Sequence, residues 1–168
     1  NTLLWKMNRQ RVSFESLRDT ILQASGQLEL KVGGRPVKIH THPASTRRTL
    51  YGFIDRQNLP AVFRTFDFAN PDTHCPKRFE NIVPQQALFL MNGSFVHDQA
   101  KYLIQQKEFM DAANDKAKLH FLHQTIFQRN SSTTEMQEAL VFLSPEGAAS
   151  WADYAQVLLL SNEFRFVD

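Results

Sequence analysis

Several features are scarce in this chain, and each scarcity excludes something. One cysteine, Cys75, rules out an internal disulfide and a thiolate metal cluster. Apolar runs are short, "VLLL" at 157–160 being typical, so no segment can span a bilayer. The opening "NTLLWKMNRQ" lacks the apolar core of a signal peptide. Charge of one sign is missing too: 19 Lys and Arg face 17 Asp and Glu, for a net charge of +2. The densest basic group, Lys6, Arg9 and Arg11, is too small for the basic stripe of a nucleic-acid binder. A Ser-His-Asp motif, HExxH and a phosphate-cradling glycine loop are all absent, and "VGGRP" lacks the Lys-Ser/Thr of a Walker loop.

What is present argues for a globular domain. The 168 residues are 42% hydrophobic with 14 Phe, enough for one sizeable core. Most of those Phe fall on predicted buried faces, which leaves Trp5 and Trp151 as the aromatic candidates for ligand stacking.

Apolar periodicity predicts a mainly α protein. Phe14, Leu17, Ile21 and Ala24 form one stripe, with Ser13 as cap and Gly26 as left-handed stop. Leu28, Leu30 and Val32, then Val37 and Ile39, alternate around Gly33-Gly34 and predict a small two-stranded β-ribbon. A helix is expected over about 46–56, carrying Leu50, Phe53 and Ile54, and Pro60 opens a short turn bearing Val62, Phe63 and Phe66. From Asp67 to Asn81 prolines and polar residues predict an extended loop that must be pinned down.

"IVPQQALFLMNGSFV" at 82–96 reads as a joint between two helices. Pro84 opens a short, mostly buried helix, Asn92-Gly93 ends it in left-handed geometry, and Ser94 caps the next. Further helices are expected over about 111–128, after a Ser132–Glu135 capping box and from Trp151, with Ser144-Pro145 breaking the second of these.

The blocks "LLWKMNRQRVSFESLRDTILQASGQLEL", "RRTLYGFIDRQNLPAVFRTFDFANPD", "VPQQALFLMN" and "WADYAQVLLLSNEFRFVD" together carry a resemblance. In this order they resemble the domain of unknown function that closes large planctomycete-type exported proteins bearing cytochrome-c-like domains. The resemblance runs from Trp5 to Asp168 and implies a single helical domain over 1–168. It also implies a C-terminal piece of something larger, with the N-terminal part of the family domain missing. Haem belongs to another domain of such proteins, and CxxCH is absent here, so no cofactor is expected. Export to the periplasm or cell envelope is implied by the resemblance alone. Its blocks fall on Trp5, Arg9, Arg11, Glu15, Arg18, Asp19, Arg48, Tyr51, Asp67, Pro84, Gln85, Asn92, Trp151, Asn162 and Glu163.

Among these, Arg48, Asp67, Gln85, Asn92, Asn162 and Glu163 are the candidate binding residues, with a structural role preferred for each. No catalytic or metal-ligating residue is assigned. His40 and His42 share a strand face and His120 and His123 a helix face, but a metal needs three or four convergent ligands, so solvated histidines are the better reading. The charges at Arg47, Arg48, Asp55, Arg56, Asp67, Asp72, Lys77, Arg78 and Glu80 can be read as a polar cleft for acid–base work. They can also be read as pins for the long loop, which is the preferred reading. The expectation is therefore a non-catalytic structural or interaction domain whose partners are other domains of its own parent protein. Nucleic acid and, for this fragment, membrane are not expected partners; a small-molecule or glycan ligand is left unassigned. The rival is a hydrolase-like enzyme domain, with polysaccharide breakdown as its setting, using polar residues of 47–92.

Overall fold

The computed structural model describes Leu3, residues 5–144 and residues 149–167. Within them a two-residue strand β1 (Gln10–Arg11) leads into α1 (Phe14–Ala24), a 3-10 turn (Thr49–Tyr51), α2 (Ala61–Thr65), α3 (Pro84–Asn92) and α4 (Ser94–Ile104). Then follow α5 (Lys107–Met110), α6 (Asp115–Phe127), α7 (Thr133–Phe142), α8 (Trp151–Leu160), α9 (Asn162–Arg165) and β2 (Phe166–Val167). The protein is mainly α with one small antiparallel ribbon, as its periodicity predicts. Pro145, half of the expected helix break, lies outside the described residues.

Helix starts obey local chemistry. The Ser13 hydroxyl accepts from the Ser16 N–H, Asn114 Oδ1 from Ala117 N–H, and Ser150 from Asp153 N–H, each satisfying an N–H the helix leaves unpaired. Ser132 and Glu135 form the expected reciprocal capping box. Gly26 sits at φ +71° beyond α1, as a left-handed stop requires.

The core is centred where α4 lies along α8, the most extensive helix pairing in the molecule. Val96, Ala100 and Leu103 of α4 are fully buried, as are Ala155 and Leu159 of α8 and Leu119 and Leu122 of α6. Small Ala100 and Ala155 permit close helix axes on such a pair. A second, aromatic part of the core joins α1 to the loops: Phe14 meets Phe66 at 5.0 Å and Phe63 at 5.6 Å between ring centroids. Phe66 meets Phe89 at 5.5 Å, edge to face, the geometry that ring quadrupoles favour.

Three local expectations fail, each for a visible reason. The ribbon is not at Gly33-Gly34 but joins the two ends of the described chain, Gln10 facing Val167 and Arg11 facing Phe166. Both glycines do take positive φ, yet the carbonyls of Lys31, Gly33 and Arg35 accept from the Arg47 guanidinium, which enters the loop and leaves no ladder to form. The 46–56 helix shrinks to the 3-10 turn because α1 takes its backbone groups: Arg18 binds the carbonyls of Ser45 and Arg47, and Asp19 accepts the Thr49 N–H at 2.7 Å. Leu50 and Phe53, expected inside, are exposed. The third failure is at the joint: α3 begins at Pro84 as expected, but Leu88 and Met91 are exposed and Leu90 alone of its leucines is buried. Gly93 is extended (φ −71°), not left-handed, and it rather than Ser94 is the N-cap of α4. A Cβ there would lie 2.4 Å from the Phe89 carbonyl oxygen, so glycine is needed for closeness and not for chirality. The helix expected over about 111–128 is present as α6, with Leu119, Leu122 and Ile126 buried on one face and α5 a separate turn ahead of it.

Candidate functional site

The polar middle of the chain folds into a groove of about 540 Å³ beside the 67–81 loop, walled by Asp67, Arg64, Arg56, Asp72, His74 and Arg78 among others. Asp67 is its best-held member. This residue sits at φ +58°, a left-handed position that aspartate tolerates better than most residues. Its carboxylate accepts from Arg11 Nη2 at 2.7 Å and from the Asn81 backbone and side-chain N–H groups at 3.0 Å each. One carboxylate thus ties β1 to both ends of the loop. Arg78 reaches back to Glu15 of α1 at 2.7 Å and lies over the Phe68 ring. Arg56 donates to the Pro71 carbonyl. These are charge-assisted bonds between distant segments.

Buried Gln86 completes the closure. Its amide donates to the Thr65 carbonyl at 2.8 Å and to the Asn81 carbonyl at 3.0 Å, tying two separate stretches of loop backbone together. Neighbouring Gln85 is exposed and its side chain makes no hydrogen bond among the described residues; the same holds for Asn92 and Asn162.

The six candidate residues do not meet in one place. Arg48 is half exposed, with Nε 3.6 Å from Asp19, and does not line the groove that Asp67 lines. Glu163 does not line that groove either; it and Glu135 clamp Arg129. Four bonds of 2.6–2.9 Å join that guanidinium to the two carboxylates, tying the end of α6 to the starts of α7 and α9. The bonds from Arg129 hold both carboxyls below the ordinary range, and hold the arginine above its own. A general acid needs its carboxyl raised, and these are moved the other way.

Sequence reasoning misses the cluster next to this clamp. His123, expected in solvent, is 1% exposed, and one ring nitrogen lies 3.0 Å from the Tyr154 hydroxyl. Burial lowers the His123 pKa and pushes Tyr154 up to about 12. A signal for it does exist, since His123 directly follows Leu122 on the α6 face that buries Leu119 and Ile126. His120 bonds Ser131 instead, and the two histidines share no common partner. His40 lies edge-on to Phe63, while His42 lies 3.6 Å from Asp98. Among the described residues no three His, Cys, Asp or Glu side chains come together as metal ligands, and no helix is long and apolar enough to cross a membrane. Trp5 stands exposed with Lys6 over its ring, whereas Trp151 packs edge-on against Phe109 and Tyr154.

Comparison with known proteins gives a family but no function. No curated protein matches the chain, and no solved structure does. A family model described as PSD1, a protein of unknown function (DUF1553), matches residues 1–143. With most of its length covered by that match, the chain belongs to the PSD1 family.

Proposed function

We propose that this chain is a non-catalytic structural and interaction domain, one folded unit over 1–168, of a large exported multi-domain protein of the planctomycete type with cytochrome-c-like domains elsewhere. The observation that carries this reading is the commitment of its charged and amide groups. Asp19, Asp67, Arg18, Arg47 and Gln86 all hold backbone of distant loops. The carboxyls of Glu135 and Glu163 are fixed in their charged form by Arg129. Such a scaffold presents a surface for other domains of the parent protein. Leu30, Val32, Leu50, Phe79 and Ile82 stand exposed in the irregular part, each more than two-thirds accessible.

Hydrogen–deuterium exchange tests this by comparing the isolated chain with the full-length parent. Amides at 28–34 and 79–83 are expected to exchange at least about tenfold more slowly in the parent, as segments covered by a neighbour do. Equal exchange rates in the two proteins would remove the interaction reading. The rival, a hydrolase-like enzyme acting on a glycan or small molecule, draws its support from the groove beside Asp67. Turnover by the parent that Asp67→Asn abolishes without lowering its melting temperature would put the enzyme in first place.

A further inference from the structure

We propose that the cavity between α1, the 39–44 loop and the first turn of α4 binds a small carboxylate with a short apolar tail. This goes beyond the scaffold reading and does not rest on it. The cavity holds about 110 Å³. At about 30 Å³ per water this is room for an anion of roughly acetate to propionate size.

Two independent features converge there. The first is the start of α4, an eleven-residue helix whose Gly93, Ser94 and Phe95 all line the cavity. No side chain caps this end. The Gly93 N–H is taken by the Phe89 carbonyl, and the N–H groups of Val96 and His97 both turn to the Gly93 carbonyl. The Ser94 and Phe95 N–H groups are left at the positive end of the helix dipole, where an anion is favoured.

The second feature is Arg18, which lines the same cavity and is 2% exposed. Its two terminal nitrogens are occupied by the carbonyls of Arg47 and Ser45 and the Thr49 hydroxyl, but its Nε–H is buried without an acceptor. A buried donor left unpaired is costly and uncommon. Nearby charge is also unbalanced. Asp19 is 3.8 Å from Arg18 and 3.6 Å from Arg48, and it already accepts the Thr49 N–H and hydroxyl. Buried Arg47 has only carbonyl acceptors. No carboxylate lines the cavity, and Asp98 lies 3.6 Å from the lining residue His42, which is exposed.

The remaining walls decide the ligand class. Phe14, Ile39, Val62 and Phe89 are apolar, and the polar His40, Thr41 and His42 are exposed, so the extra oxygens of a sulfate or phosphate seated beside Arg18 would be turned toward hydrocarbon on the buried walls. A carboxylate offers two oxygens, one for the Arg18 Nε–H and one for the helix N–H groups, and directs its hydrocarbon at the rings.

Titrating propionate into the ¹⁵N-labelled chain, with chloride holding ionic strength constant, tests the site. The amides of Ser94 and Phe95 and the Arg18 Nε–H are expected to shift together and saturate with one Kd. Sulfate and phosphate should bind at least about tenfold more weakly. Ser94→Pro is the decisive variant. Proline is welcome at a first helical position, and Gly93 already has the extended conformation (ψ 123°) that must precede it. The fold is kept while one anion-binding N–H is removed, so propionate affinity should fall by about tenfold, the scale of one charge-assisted bond. Arg18→Gln should weaken binding further, but it also loosens the Ser45 and Arg47 carbonyls, so Ser94→Pro is the variant that decides. Absence of a saturable propionate shift, or an unchanged Kd in Ser94→Pro, overturns the site. Sulfate binding as tightly as propionate overturns the assignment to carboxylates.

Discussion

Over 94–144 and 149–165 the chain is helix laid on helix, and its interior is closed by Val96, Ala100, Leu103, Leu119, Leu122, Ala155 and Leu159. Between 27 and 83 it holds five residues of α-helix and one 3-10 turn. There the backbone is fixed by side chains arriving from elsewhere: Arg18 and Asp19 from α1, Arg11 through Asp67, and Gln86 from α3. Burial of apolar surface is non-directional and tolerates small shifts, whereas a guanidinium holding two carbonyls specifies a single loop path. One half is built by packing, and the other adds polar ties to the aromatic packing of Phe63 and Phe66.

The largest effect should come from the packed half. Leu159→Ala removes a fully buried side chain where α8 meets α4, and should lower unfolding free energy by about 2–5 kcal/mol through lost burial and a residual cavity. Urea denaturation measures it. A loss below about 1 kcal/mol would mean that the helical half can collapse around the gap, and that packing is not what distinguishes it.

Next comes the joint between the halves. Gly93→Ala adds a Cβ 2.4 Å from a backbone oxygen at a φ that alanine readily adopts, so its cost is a clash and not backbone strain. A destabilisation of about 1–3 kcal/mol is expected, with α3 and α4 forced apart. A melt indistinguishable from that of the unsubstituted chain would show that the Phe89 carbonyl moves aside freely.

The same contrast governs what is legible in the sequence. Ser13, Ser132 with Glu135, Pro84 and the Trp151–Leu158 stripe all act within a few residues of where they stand, and the elements they mark are present. The Gly33-Gly34 hairpin and the 46–56 helix fail because Arg47 and Arg18 compete for their carbonyls, and those partners lie 12 to 29 residues away. The candidate site suffers in the same way. Asp67 stands out in the sequence as a charged residue of the middle region, but its partners Arg11 and Asn81 cannot be read from spacing. His123 reads as solvated because a histidine on a buried stripe carries no mark of the tyrosine 31 residues on that satisfies it.

Acid should separate the polar ties into two windows. His123 is lowered from 6.5 by burial, so below that pH the unfolded chain takes up the proton first. Its contribution is present above 6.5 and is lost as pH falls. Glu135 is lowered from 4.5 by Arg129, so its contribution is present above 4.5 and is lost below it. Thermal melts from neutral pH downward should fall in both windows. His123→Gln should flatten the upper fall and Glu135→Gln should reduce the lower one. A melting temperature constant through both would show that neither group differs between the folded and unfolded chains.

The smallest expected effect is also the sharpest comparison, because it contrasts adjacent residues of one type on one helix. Gln86 is fully buried and donates to two loop carbonyls, so Gln86→Ala removes both ties and should cost about 1–3 kcal/mol. Gln85 points to solvent from the first turn of α3 and ties nothing down. Alanine is also the better helix former, so Gln85→Ala should change stability by no more than about 0.5 kcal/mol. Paired urea melts of the two variants give the difference directly. If Gln85→Ala proves as damaging as Gln86→Ala, the loss arises from α3 as a helix and not from the amide that holds Thr65 and Asn81. The irregular half would then depend on helix packing after all, and the division between packed and tied halves would not stand.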